Sequence, residues 1–343
     1  MPTPTVLGYA AKAAGEPLEP FTYESPPLGD HDVRVSVSHC GLCYTDVHGI
    51  DDYYGISTFP FVPGHEIVGF VAEVGPSVAE LKEGDRVGIG WQGRACLECE
   101  WCRRGEEQLC VDIGDSATWS PYGGFASSVV VDGRFAYPLP EAMPAEAAAV
   151  MMCAGITVYA PLKRYATAPV RQVGIAGVGG LGHLAIQFAH ALGSEVTAIS
   201  TSPDKEAEAL AFGADRFVVA DKAGLRSIYD ELDLVLCTVH GDTTDWERLV
   251  LTLKRRGRLV LAGFPRLSLD PQEVVVHELS ITGSLLGSRA TMREMLEFAQ
   301  THGIKPAVEL QPMAAINEAI GRLKENRVRY RVVLVNEAAG TAP

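Results

Sequence analysis

Eight cysteines, at positions 40, 43, 96, 99, 102, 110, 153 and 237, are the residues of this sequence best able to do chemistry. Four of them form the run Cys96-x2-Cys99-x2-Cys102-x7-Cys110. Thiolates at that spacing can close a tetrahedral shell around Zn²⁺, a centre of net charge about −2 with no open position. Such a site should brace a loop rather than do chemistry. An iron–sulfur cluster, or cysteines gathered only by packing, are the alternatives. Cys40 and Cys43 make a CxxC pair, but no thioredoxin-like context surrounds it. Cys40 therefore reads as a small buried residue, and Cys237, within an apolar run, as core.

A second constellation is built of glycine. An apolar run ending near Ile175 passes into Gly177-Val178-Gly179-Gly180-Leu181-Gly182, and a helical pattern follows. Glycine suits a tight turn, a close backbone approach to a pyrophosphate and close helix–strand packing. The free N–H groups and positive dipole end of the helix then favour an anion. The next apolar run ends in Ser200-Thr201-Ser202, followed by Pro203-Asp204-Lys205. NAD-binding folds usually carry an acidic residue there for the ribose hydroxyls. Here three hydroxyls and the Lys205 ammonium can surround a 2′-phosphate, which predicts NADP(H). The plainer reading is a hydroxyl-rich turn capping the next helix, with Lys205 solvated.

These residues need elements to position them. Residues 33–37, 67–74 and 125–131 are short apolar runs broken by Gly and Pro, as in a β-rich domain with long loops. From about residue 169 the texture changes. Runs at 172–177, 195–200, 216–220, 232–239, 258–263 and 280–285 read as strands buried on both faces of a parallel sheet. Helix candidates at 181–192 and 205–212 lie between the first three, the alternation that builds a doubly wound α/β fold. Beyond about residue 289 come helix candidates at 291–302 and 314–326 and a strand at 330–335. These are too few for a domain and should fold back onto the first one.

Composition limits the function. A chain of 343 residues, 47% hydrophobic and 21% charged, can bury large cores and holds about two domains. A net charge of −14 without any Lys/Arg run argues against a nucleic-acid or anionic-membrane surface. The longest uncharged apolar stretch, residues 147–162, is shorter than the about 18–20 residues of a membrane span and holds Gly155 and Pro161. No signal-peptide pattern opens the chain. The expectation is a cytoplasmic protein with reduced cysteines.

Several motifs together resemble the zinc-dependent medium-chain alcohol dehydrogenases, in particular the cinnamyl alcohol dehydrogenase branch and its bacterial NADPH-dependent aldehyde reductases. They are Gly41-Leu42-Cys43-Tyr44-Thr45-Asp46, Gly64-His65-Glu66, Gly84-Asp85-Arg86-Val87, the four-cysteine lobe, Cys153 to Tyr159, the glycine turn, Ser200 to Lys205 and Arg329-Tyr330-Arg331-Val332-Val333-Leu334. The resemblance covers nearly the whole chain. It implies a β-rich GroES-like catalytic domain of residues 1–155 and 290–343, with a Rossmann domain of residues 156–289. It implies a catalytic zinc on Cys43, His65 and Cys153, besides the structural one, so two zinc ions per chain. Glu66 would stand beside the metal, Asp46 would orient His65, Thr45 would touch the substrate oxygen and His48 would end a proton relay. Thr157 would lie near the nicotinamide, and Gly177, Gly179, Gly180, Leu181 and Gly182 would hold the pyrophosphate.

The implied reaction is reversible hydride transfer between NADP(H) and a primary alcohol/aldehyde pair, aromatic, cinnamyl-like or medium-chain aliphatic. The implied assembly is a homodimer or homotetramer paired along the last strand of the sheet. Tyr44 departs from the His or Arg frequent at its position, so the pyrophosphate would depend more on the glycine turn and Lys205. Tyr53, Tyr54, Trp91 and Trp119 are candidates to line the substrate pocket. His183 should pack on its helix, and Arg289 should serve the cofactor or be solvated. Rival readings are NAD-dependent alcohol oxidation at the same site, a zinc-free quinone or enoyl reductase, and a non-enzymatic zinc and nucleotide binder.

Overall fold

The computed structural model describes residues 4–113, 117–120, 122–167, 171–240 and 244–337. The chain forms two compact units, one of Met1–Cys153, Ser288–Gln300 and Pro306–Pro343, the other of Ala154–Gly287 and Thr301–Lys305.

The first unit is built on a seven-stranded sheet whose long central strand is Asp32–Leu42. Antiparallel neighbours flank that strand: Glu66–Val74 on one side and the C-terminal strand Arg331–Val335 on the other. Leu42 thereby faces Val332 and Gly41 faces both Val333 and Glu66. Val33, Val35 and Val37 are fully buried, and Ile67, Phe125, Val332 and Leu334 join them in one core. The C-terminal residues supply a strand, Val308–Pro312, that the sequence reading left out. It is a polar edge strand with Glu309 and Gln311, so it lacks an apolar run.

The second unit is a six-stranded, all-parallel sheet. In spatial order its strands are Arg216–Val219, Glu195–Ser200, Gln172–Ala176, Leu232–Cys237, Leu253–Leu261 and Ser280–Gly283. Strand order reverses direction at Gln172–Ala176, the switch point where doubly wound sheets bind ligands. Val173, Ile175, Val196, Ala198, Val235 and Leu236 are almost wholly buried, as continuous apolar strands require. Helices Gly182–Ala191 and Glu206–Ala211 occupy the two predicted positions. Lys222–Arg226, Trp246–Leu251 and Pro271–Val276 are additional helices too short to show a 3.6-residue period. Each is announced instead by an aspartate N-cap: Asp221, Asp245 and Asp270 accept from Gly224, Arg248 and Gln272 N–H groups.

The uncharged apolar stretch at 147–162 is bounded by Glu146 on one side and Lys163 and Arg164 on the other. It lies in a continuous helical segment, Ala145–Tyr165, of 21 residues, long and apolar enough by length and composition to cross a membrane. Most of that segment is buried inside the protein, as core helices of this composition are. Residues Met151–Gly155 form a π-helical turn within it, and Cys153 sits on that turn.

Candidate metal centres and cofactor turn

Cys43 directly follows the strand Asp32–Leu42 and caps the helix Tyr44–Ile50. Asp46, at the third position of that helix, reaches back to accept from the Cys43 backbone N–H at 3.0 Å, one half of a capping box. Its other oxygen accepts from Gly64 N–H at 2.9 Å and from His65 Nδ1 at 2.8 Å. One wholly buried carboxylate thus ties the first cysteine to the histidine loop and fixes the imidazole tautomer. The ring's other nitrogen, Nε2, points at Cys153 Sγ, 3.3 Å away. Cys43, His65, Glu66 and Cys153, all buried, bring donor atoms within 4.8 Å of one another.

This donor set fits zinc. Tetrahedral Zn–S and Zn–N bonds would separate sulfur from nitrogen by about 3.6 Å and sulfur from sulfur by about 3.8 Å. The Cys153 neighbour first, then His65 and the Arg331 cation, hold the Cys43 thiol well below its usual range against the opposing effect of burial. Burial works against a charged His65, but Asp46 and Cys43 outweigh it and raise the imidazole to about 10. The two shifts are reciprocal, a Cys43 thiolate beside a His65 imidazolium, and a cation taking that proton's place would leave the imidazole neutral.

The structure adds two partners that the sequence reading did not single out. Gly41 lies opposite Glu66, and a Cβ there would stand 2.0 Å from Glu66 Oε2, so glycine at 41 is what admits the carboxylate. Arg331 donates to Glu66 Oε1. Glu66 Oε2 is buried with no hydrogen-bond partner, an acceptor left over in the donor set. With two thiolates, a neutral imidazole and Zn²⁺ summing to zero, the Glu66–Arg331 pair leaves that balance unchanged. Arg331 was hidden because its partner lies 265 residues away along the chain.

Thr45 Oγ1 lies 3.6 Å from Cys43 Sγ. His48 is on the same helix, buried, with Nδ1 2.9 Å from the Tyr54 hydroxyl. Trp119 meets the His65 ring edge-on at 5.6 Å and is itself met by Trp91 at 6.2 Å. Of the four aromatic candidates these two build an apolar wall reaching the His65 ring, whereas Tyr53 is 65% exposed.

The four-cysteine lobe is closed. Cys96 Sγ stands 3.9 Å from Cys102 Sγ and 3.5 Å from Cys110 Sγ, bracketing the tetrahedral spacing. The Cys96 N–H donates to Cys110 Sγ and the Cys99 N–H to Cys96 Sγ, each at 3.4 Å. Backbone N–H groups of Cys102 and Val111 lower the Cys99 thiol to about 6. Arg289 belongs here, correcting both readings offered for it. It donates to Glu107 Oε1 at 2.8 Å, and Gln92 Nε2 donates to the Glu107 carbonyl at 2.7 Å, so the lobe is clamped at Glu107.

In the second unit Gly177 has φ 95°, and a Cβ on Gly182 would lie 1.8 Å from the Gly177 carbonyl, so the turn closes only with glycine. Gly179 is different: a Cβ there would meet nothing within 4 Å. The protein itself does not demand glycine at 179, which fits a cradle kept open for a ligand's phosphate. Ser200 is buried at the strand tip, Thr201 is exposed and Ser202 half-buried. Lys205 Nζ reaches back across the turn to donate to the Val178 carbonyl at 2.7 Å. Thr157 is buried in the helix Ile156–Tyr165.

His183 is fully buried and donates from Nδ1 to the Gly179 carbonyl at 3.0 Å, with its ring edge-on to Phe212 at 5.5 Å. Burial lowers it to about 4 from an ordinary 6.5. A depressed histidine contributes stability that is complete above about pH 6.5 and is lost as pH falls toward 4. The loss amounts to about 3 kcal/mol. Calorimetry of the wild type and His183→Asn between about pH 4.5 and 7.5 should show this acid limb flattened in the variant. An identical limb in both would place its origin elsewhere.

Comparison with known proteins agrees with this geometry. Residues 29–141 match the alcohol dehydrogenase GroES-like domain and residues 180–301 the zinc-binding dehydrogenase domain. A probable cinnamyl alcohol dehydrogenase of Oryza sativa subsp. japonica is 39% identical over 97% of this chain and 96% of its own. The chain belongs to the zinc-binding alcohol dehydrogenases. An NADP-dependent alcohol dehydrogenase of Mycolicibacterium smegmatis is 37% identical, covering 96% of this chain and 97% of that one. The solved structure of a cinnamyl alcohol dehydrogenase from Sorghum bicolor superposes with a TM-score of 0.90 at 38% identity, covering 99% of both chains. As a member of this family the chain is an oxidoreductase with a GroES-like and a Rossmann-type domain.

Proposed function

We propose that this dehydrogenase works with NADP(H) as a reductase of aromatic, cinnamyl-like or medium-chain aliphatic aldehydes, in a reversible reaction. The observation that carries the cofactor reading is the strand tip Ser200-Thr201-Ser202, free of carboxylate, with Lys205 drawn onto the glycine turn at Val178. The NADP-dependent relative from Mycolicibacterium smegmatis supports the same reading.

Bound zinc supplies Lewis acidity toward an oxygen ligand, and bound nicotinamide supplies or accepts the hydride. The chain does the rest. Cys43, His65 and Cys153 hold the catalytic metal, and Cys96, Cys99, Cys102 and Cys110 the structural one. Asp46 keeps His65 Nε2 turned to the metal. Thr45 Oγ1 carries the substrate proton, His48 exchanges it with solvent, and Trp91 and Trp119 exclude water beside His65. Thr157 borders the nicotinamide. The rest of the proposal is a cytoplasmic homo-oligomer, supported by the edge strand Ser280–Gly283 and by Val275, Val276 and Leu285, exposed by 73%, 60% and 42%.

Initial rates with an aldehyde panel should be fast with NADPH and slow with NADH. In Ser200→Asp the added carboxylate would repel the 2′-phosphate, lowering kcat/KM for NADPH on the order of 100-fold while NADH improves. A wild type that prefers NADH, or a variant with an unchanged cofactor ratio, would sink the NADP assignment and leave the enzyme class standing.

A further inference from the structure

His48 is held on three sides by phenols. Its ring stacks on Tyr53 at 4.6 Å with planes 20° apart, meets Tyr44 edge-on at 5.1 Å, and places Nδ1 2.9 Å from the Tyr54 hydroxyl. The turn bearing Tyr53 and Tyr54 is closed by a set of hydrogen bonds. Asp52 sits at φ 49° and Gly55 at φ 68°. Asp52 Oδ1 accepts from Ser57 N–H at 2.9 Å, and Ser57 Oγ donates to the Gly49 carbonyl at 2.7 Å. The Tyr53 N–H donates to the His48 carbonyl at 2.9 Å. Lys324 donates to both Asp51 oxygens, at 3.0 and 3.1 Å, pinning the turn to the helix Ile316–Lys324. The half-buried Tyr54 is therefore placed by the backbone, not by chance packing, and its proximity to Nδ1 is imposed on His48.

We infer that Tyr54 is a positioning residue for His48: its oxygen accepts from Nδ1–H, so that Nδ1 keeps its proton and only Nε2 gains and loses one. A neutral imidazole carries a single N–H, and which nitrogen bears it decides which can act as a base. With both nitrogens protonated, the ring donates from each. Once Nε2 has given its proton up, the remaining hydrogen is the one on Tyr54, and Nε2 is a bare acceptor ready for the next. Without the phenol the ring can rotate or change tautomer, and part of the population then offers Nε2–H where a base is needed. This inference rests on His48 being the end of the proton relay, and it gives Tyr54 a task separate from lining a pocket.

Two-bond ¹H–¹⁵N spectra of histidine-labelled protein, at a pH where His48 is neutral, read the tautomer directly. The expected result is Nδ1–H in the wild type, with Nε2–H gaining population in Tyr54→Phe. An Nε2–H wild type, or a tautomer that Tyr54→Phe leaves unchanged, overturns the inference. In steady state Tyr54→Phe should lower kcat about three- to tenfold with KM kept within about twofold. Added to His48→Gln it should cost nothing more. A KM effect alone, or an undiminished cost in the His48→Gln background, would make Tyr54 a pocket wall and overturn the inference. A His48→Gln enzyme with full kcat would instead remove His48 from the relay, while the spectra still decide whether Tyr54 sets its ring.

Discussion

Cys43→Ser is expected to lower turnover by on the order of 10³- to 10⁴-fold and to halve the zinc content from two ions per chain to one. A thiolate is the ligand that zinc selects, and a serine hydroxyl stays protonated where the thiol does not. The pocket is tuned to sulfur, since Cys153, His65 and Arg331 together hold Cys43 well below the usual thiol range. Replacing it leaves Cys153, His65 and Glu66, a set short of one anionic sulfur, beside the buried Arg331. A Lewis acid at a reacting oxygen contributes several kcal/mol, and each 1.4 kcal/mol is about tenfold in rate. The remaining zinc should stay with the lobe, whose thiols are untouched. Initial rates and metal counting check both halves. Retained turnover with one zinc per chain would favour the zinc-free reductase reading; loss of both ions would mean that the centres are not independent.

The sheet unit was largely legible in the sequence. Five of its six strands lie within the apolar runs, because strands covered on both faces have little use for polar residues. Leu253–Leu261 begins five residues before the run at 258–263, through Lys254, Arg255 and Arg256, and the edge strand Ser280–Gly283 is partly exposed. The glycine turn was legible for a similar reason: Gly177 and Gly182 are required by the turn itself. The four cysteines at Cys96 to Cys110 announce themselves by spacing. The other donor set did not. Cys43 follows a strand, His65 lies in a loop and Cys153 on a π-helical turn, and no periodicity joins three such places. Only the resemblance to a known family joined them. Pairings such as Glu66–Arg331 and Glu107–Arg289 stayed out of sight because each links a charge to a partner chosen by tertiary packing. An arginine heading the apolar strand Arg331–Val335 gives no local sign that it is buried against a carboxylate. The His48–Tyr54 contact is within six residues, yet needs the Asp52–Ser57 turn to bring it about.

Asp46→Ala is expected to weaken the catalytic centre about 10- to 100-fold in zinc affinity and to lower the melting temperature of the first unit by about 10 °C. The side chain is 0% exposed and is not among the clustered donors Cys43, His65, Glu66 and Cys153. Its effect comes from what it accepts. Alanine would strand the Cys43 N–H, the Gly64 N–H and the His65 Nδ1–H, all buried. An unmet buried donor costs about 1–3 kcal/mol. Even with partial relaxation the sum is a sizeable fraction of the 5–15 kcal/mol by which domains are ordinarily stable. His65 would also lose the partner that turns Nε2 toward Cys153, so the ligand, though present, would be poorly aimed. Asp46→Asn separates the two effects. Its one oxygen can still serve Gly64 and His65, but its amide group must face the Cys43 N–H, donor against donor. Asparagine should therefore keep more of the zinc affinity than alanine while still losing stability at the helix cap. Chelator competition and thermal melts of the two variants measure this. Equal zinc affinity in wild type and Asp46→Ala would show that Cys43 and His65 are held by the surrounding sheet rather than by the carboxylate between them.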